Sequence, residues 1–577
     1  MNKLESISSN KQNYTVIILG FTQGIILYFL HNLLEQNVFN DNNLSLWLPI
    51  YIITILLPLT FQLVFINLCS KTFWVFIITT TIVLALTGVY TGNLATEKFS
   101  SFTYVFYFTS FIAWFIAIPF LQSCLNKTKN SYLYTHLYNY SWKNFILILE
   151  TCIFVLLLWI LFKLCASLFD IISINFFSKL IAKKWFQYIV TSTTFAISVC
   201  ILQNNESMII FLRKHILNLL KWLLPINAII LILFILFLPF TGLEPLLNTH
   251  SATTIILTLI IWMIILLNAS YQDSDNDIPF GKTILIFIKL AICTLPIYSS
   301  ICIYALYLRI TQHGWSVDRI WASIIILVIT IYAIGYAYSA ITNKNKWFNK
   351  LSTINIFASL VIVIILILTN TPFLSPTKIA ANSQISRLLD NKIPYELFDY
   401  YYFKYDLGKI GFNKLKELET LSDSKHKEAA SIRKKVNIVL NDQTSHWQRN
   451  TTTNISIQEL EKKLKLFPAG QLDNNFLFFL QNSPYVNNYT NNENCIILSL
   501  DLNHDNINEY ILINQYAGNV FKKNSKNGWQ YVASVTIPYP LSWDSFISYL
   551  QKKNFKSVAK KFDNILVGKY LLRTNED

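Results

Sequence analysis

Trp222-Leu-Leu-Pro-Ile-Asn-Ala-Ile-Ile-Leu-Ile-Leu-Phe-Ile-Leu-Phe-Leu-Pro-Phe240 carries no charge along its whole length. A helix needs about 20 apolar residues to cross the ~30 Å hydrocarbon core of a bilayer, and this stretch supplies them. A surface helix of a soluble protein would interleave polar residues every turn. Working outward, ten more runs of the same kind appear: Tyr14–Leu30, Leu44–Leu68, Phe73–Val89, Phe102–Leu121, Phe145–Leu164, Trp185–Leu202, Thr253–Leu267, Thr283–Leu308, Ile320–Ala340 and Leu351–Leu368. The first, sixth and eighth in chain order are short or diluted with Thr, Ser and Gln. The first run has no convincing cleavage site after it and reads as a retained helix.

Composition agrees. Hydrophobic residues make up 53% of the 577 and charged residues 14%, with a mean hydropathy of +0.41, which excludes an ordinary soluble enzyme. The many Phe, Tyr and Trp suit rings that anchor helices at headgroup level. The formal charge of +15 lies largely in short loops between apolar runs. That placement points to topogenic lysines and anionic lipid, not to nucleic acid. Seven of the eight cysteines lie in or beside apolar runs, leaving Cys495 alone in the C-terminal region, so no internal disulfide is expected there.

With the N-terminus in the cytoplasm, the inner segments carry Lys3, Lys11, Lys71, Lys127, Lys129, Lys143, Arg213, Lys214, Lys221, Lys282, Lys344, Lys346 and Lys350. The outer loops carry Lys98, Lys179, Lys183, Lys184, Arg309 and Arg319, so the bias is thirteen to six. The positive-inside rule therefore predicts a cytoplasmic N-terminus, and eleven spans put the C-terminal part outside. The expected architecture is a polytopic all-α membrane bundle of about eleven helices over residues 1–370. A small extracytoplasmic α+β domain follows over 371–577. In it, amphipathic helices are predicted at Gln384–Leu389, Lys414–Leu421, Ala429–Leu440, Ile455–Leu466 and Trp543–Gln551. Strands are predicted at Cys495–Leu500, Tyr510–Gln515, Trp529–Thr536 and Ile565–Leu572.

Two short segments carry chemistry. Asp501-Leu-Asn503-His-Asp505-Asn506-Ile507-Asn508-Glu509 places oxygen side chains at positions 1, 3, 5 and 9, with the Ile507 carbonyl available at position 7. Ca²⁺ takes six to eight oxygens at about 2.3–2.6 Å, and alternating inward oxygens supply them. The spacing resembles the calcium-binding hairpin loops of integrin-type propellers, with Asn506 where those have Gly. The competing reading is a polar hairpin turn whose Asp and Asn side chains bond their own backbone.

The second segment, Leu308 to Ile320, joins two spans. Gly314 permits a sharp turn, Ser316 suits a helix N-cap and Asp318 suits the first helical turn. Arg309, His313 and Arg319 are candidates to hold a phosphate or carboxylate headgroup, against the plainer reading of interfacial anchors. No Walker A, HExxH, GxSxG or dinucleotide-binding pattern is present, and no catalytic residue is assigned.

This corner and Pro279-Phe280 ahead of the ninth span resemble the bacterial domain-of-unknown-function 4153 family of multi-pass membrane proteins. So do Arg387-Leu388, Phe398-Asp399-Tyr400, Asp406-Leu-Gly408-Lys-Ile-Gly411, Phe467-Pro468-Ala469-Gly470, and the Asp501–Glu509 loop with Trp529 after it. The resemblance runs from about residue 100 onward and implies a bacterial cytoplasmic (inner) membrane protein with an extracytoplasmic tail. It implies no reaction.

Three functions follow as expectations. The first is non-enzymatic envelope sensing, scaffolding or binding of an envelope protein through the C-terminal domain. The second is a transporter or lipid-handling permease, which needs a cavity inside the membrane half. The third is a membrane glycosyl or lipid transferase, with Glu35 or Asp41 converging on Arg309 or Arg319. The lipid bilayer is a partner in all three. Glu150, Lys163 and Lys289 are expected near span ends, close enough to snorkel.

Overall fold

The computed structural model describes residues 2–36, 43–64, 70–95, 101–126, 133–242, 252–272, 280–342, 349–422, 428–441, 460–461, 464–468, 470, 472–481, 495–502, 505, 507–514, 517–523, 529–536, 565–567 and 570–572. Contacts divide the chain into two compact units, residues 1–440 and 441–577.

The first unit opens with α1 (Asn2–Glu35), α2 (Leu44–Val64), α3 (Lys71–Leu94), α4 (Ser101–Leu125), α5 (Leu133–Ile171) and the short α6 (Phe176–Ala182). It continues with α7 (Lys184–Gln203), α8 (Glu206–Thr241), α9 (Ala252–Tyr271), α10 (Lys282–His313), α11 (Val317–Thr342) and α12 (Asn349–Thr369). Among the described residues, eleven helices are long and apolar enough to cross a membrane, α6 being the exception. The three diluted runs are all among them, as parts of α1, α7 and α9.

Lipid tails are as apolar as leucine, so these helices are held by close packing and internal hydrogen bonds. Gly20 and Gly24 let α1 approach α7: a Cβ on Gly20 would stand 2.4 Å from Ala196 Cβ, and one on Gly24 would stand 2.6 Å from Ile189 Cα. Gly88 and Gly92 do the same for α3 against Pro49 and Leu44 of α2. Both pairs are small-xxx-small motifs. Pro58 cannot donate to the Thr54 carbonyl one turn back, and Gln23 of α1 fills that place at 3.2 Å.

The spans form two sets around separate cores. One core gathers Leu48, Leu56, Phe73, Phe106, Trp114 and Ile118 from α2, α3 and α4, with Ile146 of α5 and Val199 of α7. The other gathers Leu231, Ile260, Met263, Ile292, Tyr298 and Tyr336 from α8 to α11, with Leu351 of α12. The long helices α5 and α8 link the sets by exchanging their first turns. Ile209 of α8 belongs to the first core, while Tyr134 of α5 lies against the second. Between them Arg213 Nη1 donates to Asn139 Oδ1 at 2.6 Å, and Lys143 pairs with Glu206.

At that end of the second set Asn268, Tyr336 and Asn355, from three helices, close a polar ring that Tyr134 of α5 joins. Tyr336 O–H donates to Asn355 Oδ1 at 2.5 Å, and Asn268 Nδ2 donates to Tyr336 Oη at 2.9 Å. Asn355 Nδ2 donates to Asn268 Oδ1 at 2.7 Å and to Tyr134 Oη at 2.9 Å.

Four further helices, α13 (Pro376–Leu389), α14 (Tyr400–Tyr405), α15 (Gly408–Glu419) and α16 (Ala429–Asn441), follow the last span. Composition places them with the soluble part, but the contacts place nearly all of their residues in the first unit. Ala380, Leu388, Phe398, Phe403, Leu415, Ile432 and Val436 form a core that includes Ile320 of α11. The cap also reaches α3: Gly408, at φ 56°, is so close to the Leu94 carbonyl that a Cβ there would stand 2.4 Å from it.

In the second unit β1 (Lys465–Phe467) pairs parallel with β2 (Cys495–Leu500). β3 (Glu509–Asn514), β4 (Ala517–Lys523) and β5 (Trp529–Thr536) continue as an antiparallel meander. α17 (Asn474–Gln481) sets Phe476, Leu477 and Leu480 against Ile497, Leu512, Phe521 and Trp529. Alternate residues Ile496, Leu498, Ile511, Ile513 and Val520 cover the other face. β6 (Ile565–Val567) and β7 (Tyr570–Leu572) pair as a separate hairpin. The helix expected at Trp543–Gln551 lies outside the described residues. Of the helix expected at Ile455–Leu466, Leu460 and Glu461 are helical, while Lys465 and Leu466 stand in β1; 455–459 and 462–463 lie outside the described residues.

Candidate functional sites

A half-open groove of about 140 Å³ lies where α3 and α4 of the first set meet α12 of the second. Its apolar wall includes Phe76, Val83, Ala117, Val363 and Leu366, and its polar wall includes Thr79, Thr80, Thr87, Thr109, Ser110 and Asn370. None of the lining residues is charged. Thr87 and Thr109 donate their hydroxyls to the carbonyls of Val83 and Val105, each at 2.7 Å. Their hydroxyl protons are therefore spent on their own helices and not offered to the groove. Asn370 Nδ2 bridges α12 to α4 at 2.8 Å from Thr109 Oγ1. The sequence gives little warning of this site, because threonines that bond their own helix are common in spans.

At the Leu308–Ile320 corner, Gly314 takes φ 73° and ends α10, and α11 begins at Val317. Ser316 is its N-cap: Arg319 N–H donates to Ser316 Oγ at 3.4 Å. The cap helices secure the turn. Gln384 Nε2 donates to the carbonyls of His313 and Trp315 at 2.9 and 2.8 Å. Arg387 donates to those of Thr311 and Gln312 at 3.2 and 2.5 Å. Val317 N–H donates to Tyr402 Oη at 3.1 Å, and Trp315 N–H to Ser383 Oγ at 3.1 Å.

Arg319 Nη1 donates to Gly314 O at 2.9 Å. Arg309 and Arg387 stand close enough for their charges to act on Arg319. The structure thus brings together two of the three residues expected to hold a headgroup and adds Arg387, while His313 is exposed at the end of α10. Arg387 is distant in sequence, and no local pattern ties it to this turn.

In the Asp501–Glu509 loop, Glu509 is buried, with Oε2 accepting from Leu502 N–H at 2.8 Å. Asp505 Oδ1 accepts from Ile507 N–H at 2.8 Å, and its Oδ2 lies 2.7 Å from the Lys522 ammonium on β4. The hydrogen bond to Asp505 holds the Lys522 amine above its usual range. Asn503 and Asn506 lie outside the described residues. No group of three or more His, Cys, Asp or Glu side chains that could hold a metal is found among the described residues. The arrangement has the bonds of a polar hairpin turn, and a calcium ion there has to displace an ammonium already seated on Asp505.

Glu35 pairs with His31 at 3.1 Å, one turn back on α1, and Asp41 lies outside the described residues. Glu150 lies in α5, five residues past the start of the Phe145–Leu164 run, with both carboxylate oxygens shielded and without a hydrogen-bond partner among the described residues. No family model, no curated protein and no solved structure matches the chain, so the likeness to the 4153 family rests on its short motifs alone.

Proposed function

We propose that the protein is a lipid-handling membrane protein of the permease class, and that the groove between α3, α4 and α12 takes the apolar chain of a membrane lipid. One observation carries this reading: a half-open groove inside the spanning helices with no charged residue in its wall. A path for ions or charged solutes needs charged or strongly polar side chains along it. An apolar cavity of roughly 150 Å³ accepts a benzene-sized group, so about 140 Å³ suits a short stretch of acyl chain. The bacterial inner-membrane setting, the cytoplasmic N-terminus and the outward C-terminal part belong to the same reading, supported by the charge bias and the family likeness.

Envelope sensing or scaffolding is the second reading. It draws on β5, which ends the described five-stranded sheet and leaves Tyr531 and Val532 44% and 52% exposed. The transferase reading draws no support from Glu35, whose partner is His31.

A phospholipid carrying a photoreactive acyl chain tests the groove in reconstituted full-length protein. Crosslinks are expected on peptides of α3, α4 and α12, and Ala117→Phe, which fills the groove, is expected to remove most of them. Labelling spread over all lipid-facing helices, and unchanged by that substitution, overturns the reading.

A further inference from the structure

The groove between α3, α4 and α12 changes character along its length. The bond from Asn370 to Thr109 marks one end, where Ser110 also lines the wall. About two turns away along α4 and α12, Ala117 and Val363 make the other end apolar.

At the polar end the hydrogen bonds are not all spent. Thr109 gives its proton to Val105 O at 2.7 Å, so its oxygen accepts from Asn370 at 2.8 Å. Asn370 gives its other amide proton to Leu366 O at 2.9 Å, a carbonyl that can only accept. These two bonds fix which end of the amide is nitrogen and leave Oδ1 over. No donor reaches Asn370 Oδ1 among the described residues. Ser110 differs from the threonines beside it, because its hydroxyl makes no hydrogen bond among the described residues. Both side chains are buried, Ser110 at 7% and Asn370 at 8% exposure, and both line the groove. An unspent donor and an unspent acceptor in such a place call for a group that answers both.

We propose that the groove binds a neutral lipid with a free hydroxyl, a long-chain alcohol, and seats that hydroxyl between Ser110 and Asn370. The inference rests on the groove reading above and names the substrate class within it. A hydroxyl both donates and accepts, so it gives its proton to Asn370 Oδ1 and takes one from Ser110. An ester carbonyl only accepts and leaves Asn370 Oδ1 unpaired. A phosphate or an ammonium brings a charge into a wall that has no charged residue to meet it. The chain then runs from the seat toward Ala117 and Val363. Thr80 of α3 is another wall residue whose hydroxyl no described residue bonds, and it serves as the internal comparison.

The test uses full-length protein in liposomes and two photoreactive probes of equal chain length, a diazirine-bearing long-chain alcohol and its hydroxyl-free analogue. Labelling of α3, α4 and α12 peptides is divided by labelling of α8, whose exposed Leu236 and Phe237 report contact with bulk lipid. The alcohol is expected to exceed the analogue by roughly 3–10-fold, the worth of about one net hydrogen bond. Ser110→Ala is expected to bring that ratio close to one while labelling by the analogue stays the same. Thr80→Val is expected to keep the preference. Equal labelling of the groove by the two probes overturns the hydroxyl seat and leaves the groove reading standing. Labelling by neither probe overturns both. A preference that survives Ser110→Ala, or that Thr80→Val alone removes, overturns the placement between Ser110 and Asn370.

Discussion

Lys522 holds its ammonium 2.7 Å from Asp505 Oδ2, across the turn that the Asp501–Glu509 loop makes between β2 and β3. Calcium binding through Asp501, Asn503, Asp505, Ile507 and Glu509 has to expel that charge. Wild-type affinity is therefore expected at the weak end of extracellular modules, on the order of 10⁻³ M. Lys522→Met should tighten binding and Asp505→Asn should abolish it. Calorimetric titration of the full-length protein decides the point: no calcium-dependent heat in wild type or in Lys522→Met leaves the loop a hairpin turn.

The Gly314 corner yields a stability prediction. Ser316→Ala removes an N-cap whose bond is long at 3.4 Å, so the cost is expected near the low end of the usual range, about 0.5 kcal/mol. Gln384→Ala strips two carbonyls of their shared donor and should cost more, about 1–3 kcal/mol. Denaturation in mild detergent compares them. An equal or reversed order contradicts the capping scheme.

For topology, the thirteen-to-six lysine and arginine bias predicts a cytoplasmic N-terminus and a C-terminal part outside. An enzyme reporter that works only in the cytoplasm, fused after Asp577, should be silent. Activity there reverses the assignment.

Asp473 carries a pH prediction. Burial pushes its carboxyl up, but the Lys523 ammonium at 2.8 Å and the Asn475 N–H at 2.9 Å outweigh that and hold it below its ordinary value. A carboxyl lowered by folding stabilises the fold above its unfolded pKa, about 3.9, and that contribution fades as pH falls through the folded value. The sheet of the second unit should therefore loosen below roughly pH 4. Asp473→Asn should flatten the acid-side slope. Hydrogen exchange of peptides from β2 to β4, corrected for intrinsic rates, measures it, and identical slopes in the two proteins refute it.

The spans were legible because a bilayer demands a long apolar helix and the chain writes one eleven times. Three strands were legible as short runs rich in apolar residues, whereas β4, Ala-Gly-Asn-Val-Phe-Lys-Lys, has only a Val-Phe pair at its centre and does not read as one. The cap escaped for another reason. An amphipathic helix announces that it has a buried face, but not what buries it, and α13, α15 and α16 read like soluble helices while sharing a core with α11. Gly20-x-x-x-Gly24 and Gly88-x-x-x-Gly92 are local signals of close helix contact. The groove and the Arg387 contribution were not readable, since both arise where distant segments meet.

The ring that ties Tyr134 to Asn355 also sets an order of assembly. The two residues are 221 positions apart, and synthesis runs from the N-terminus. When α5 enters the bilayer, Asn355 and the other two members of the ring, Asn268 and Tyr336, do not yet exist. Asn139 and Lys143 of α5 find their partners on α8, but the bond from Asn355 to Tyr134 forms only when α12 is in place. The last span therefore adds the final tie to the fifth, and a chain truncated before α12 lacks the bonds that Asn355 makes to Tyr134, Asn268 and Tyr336.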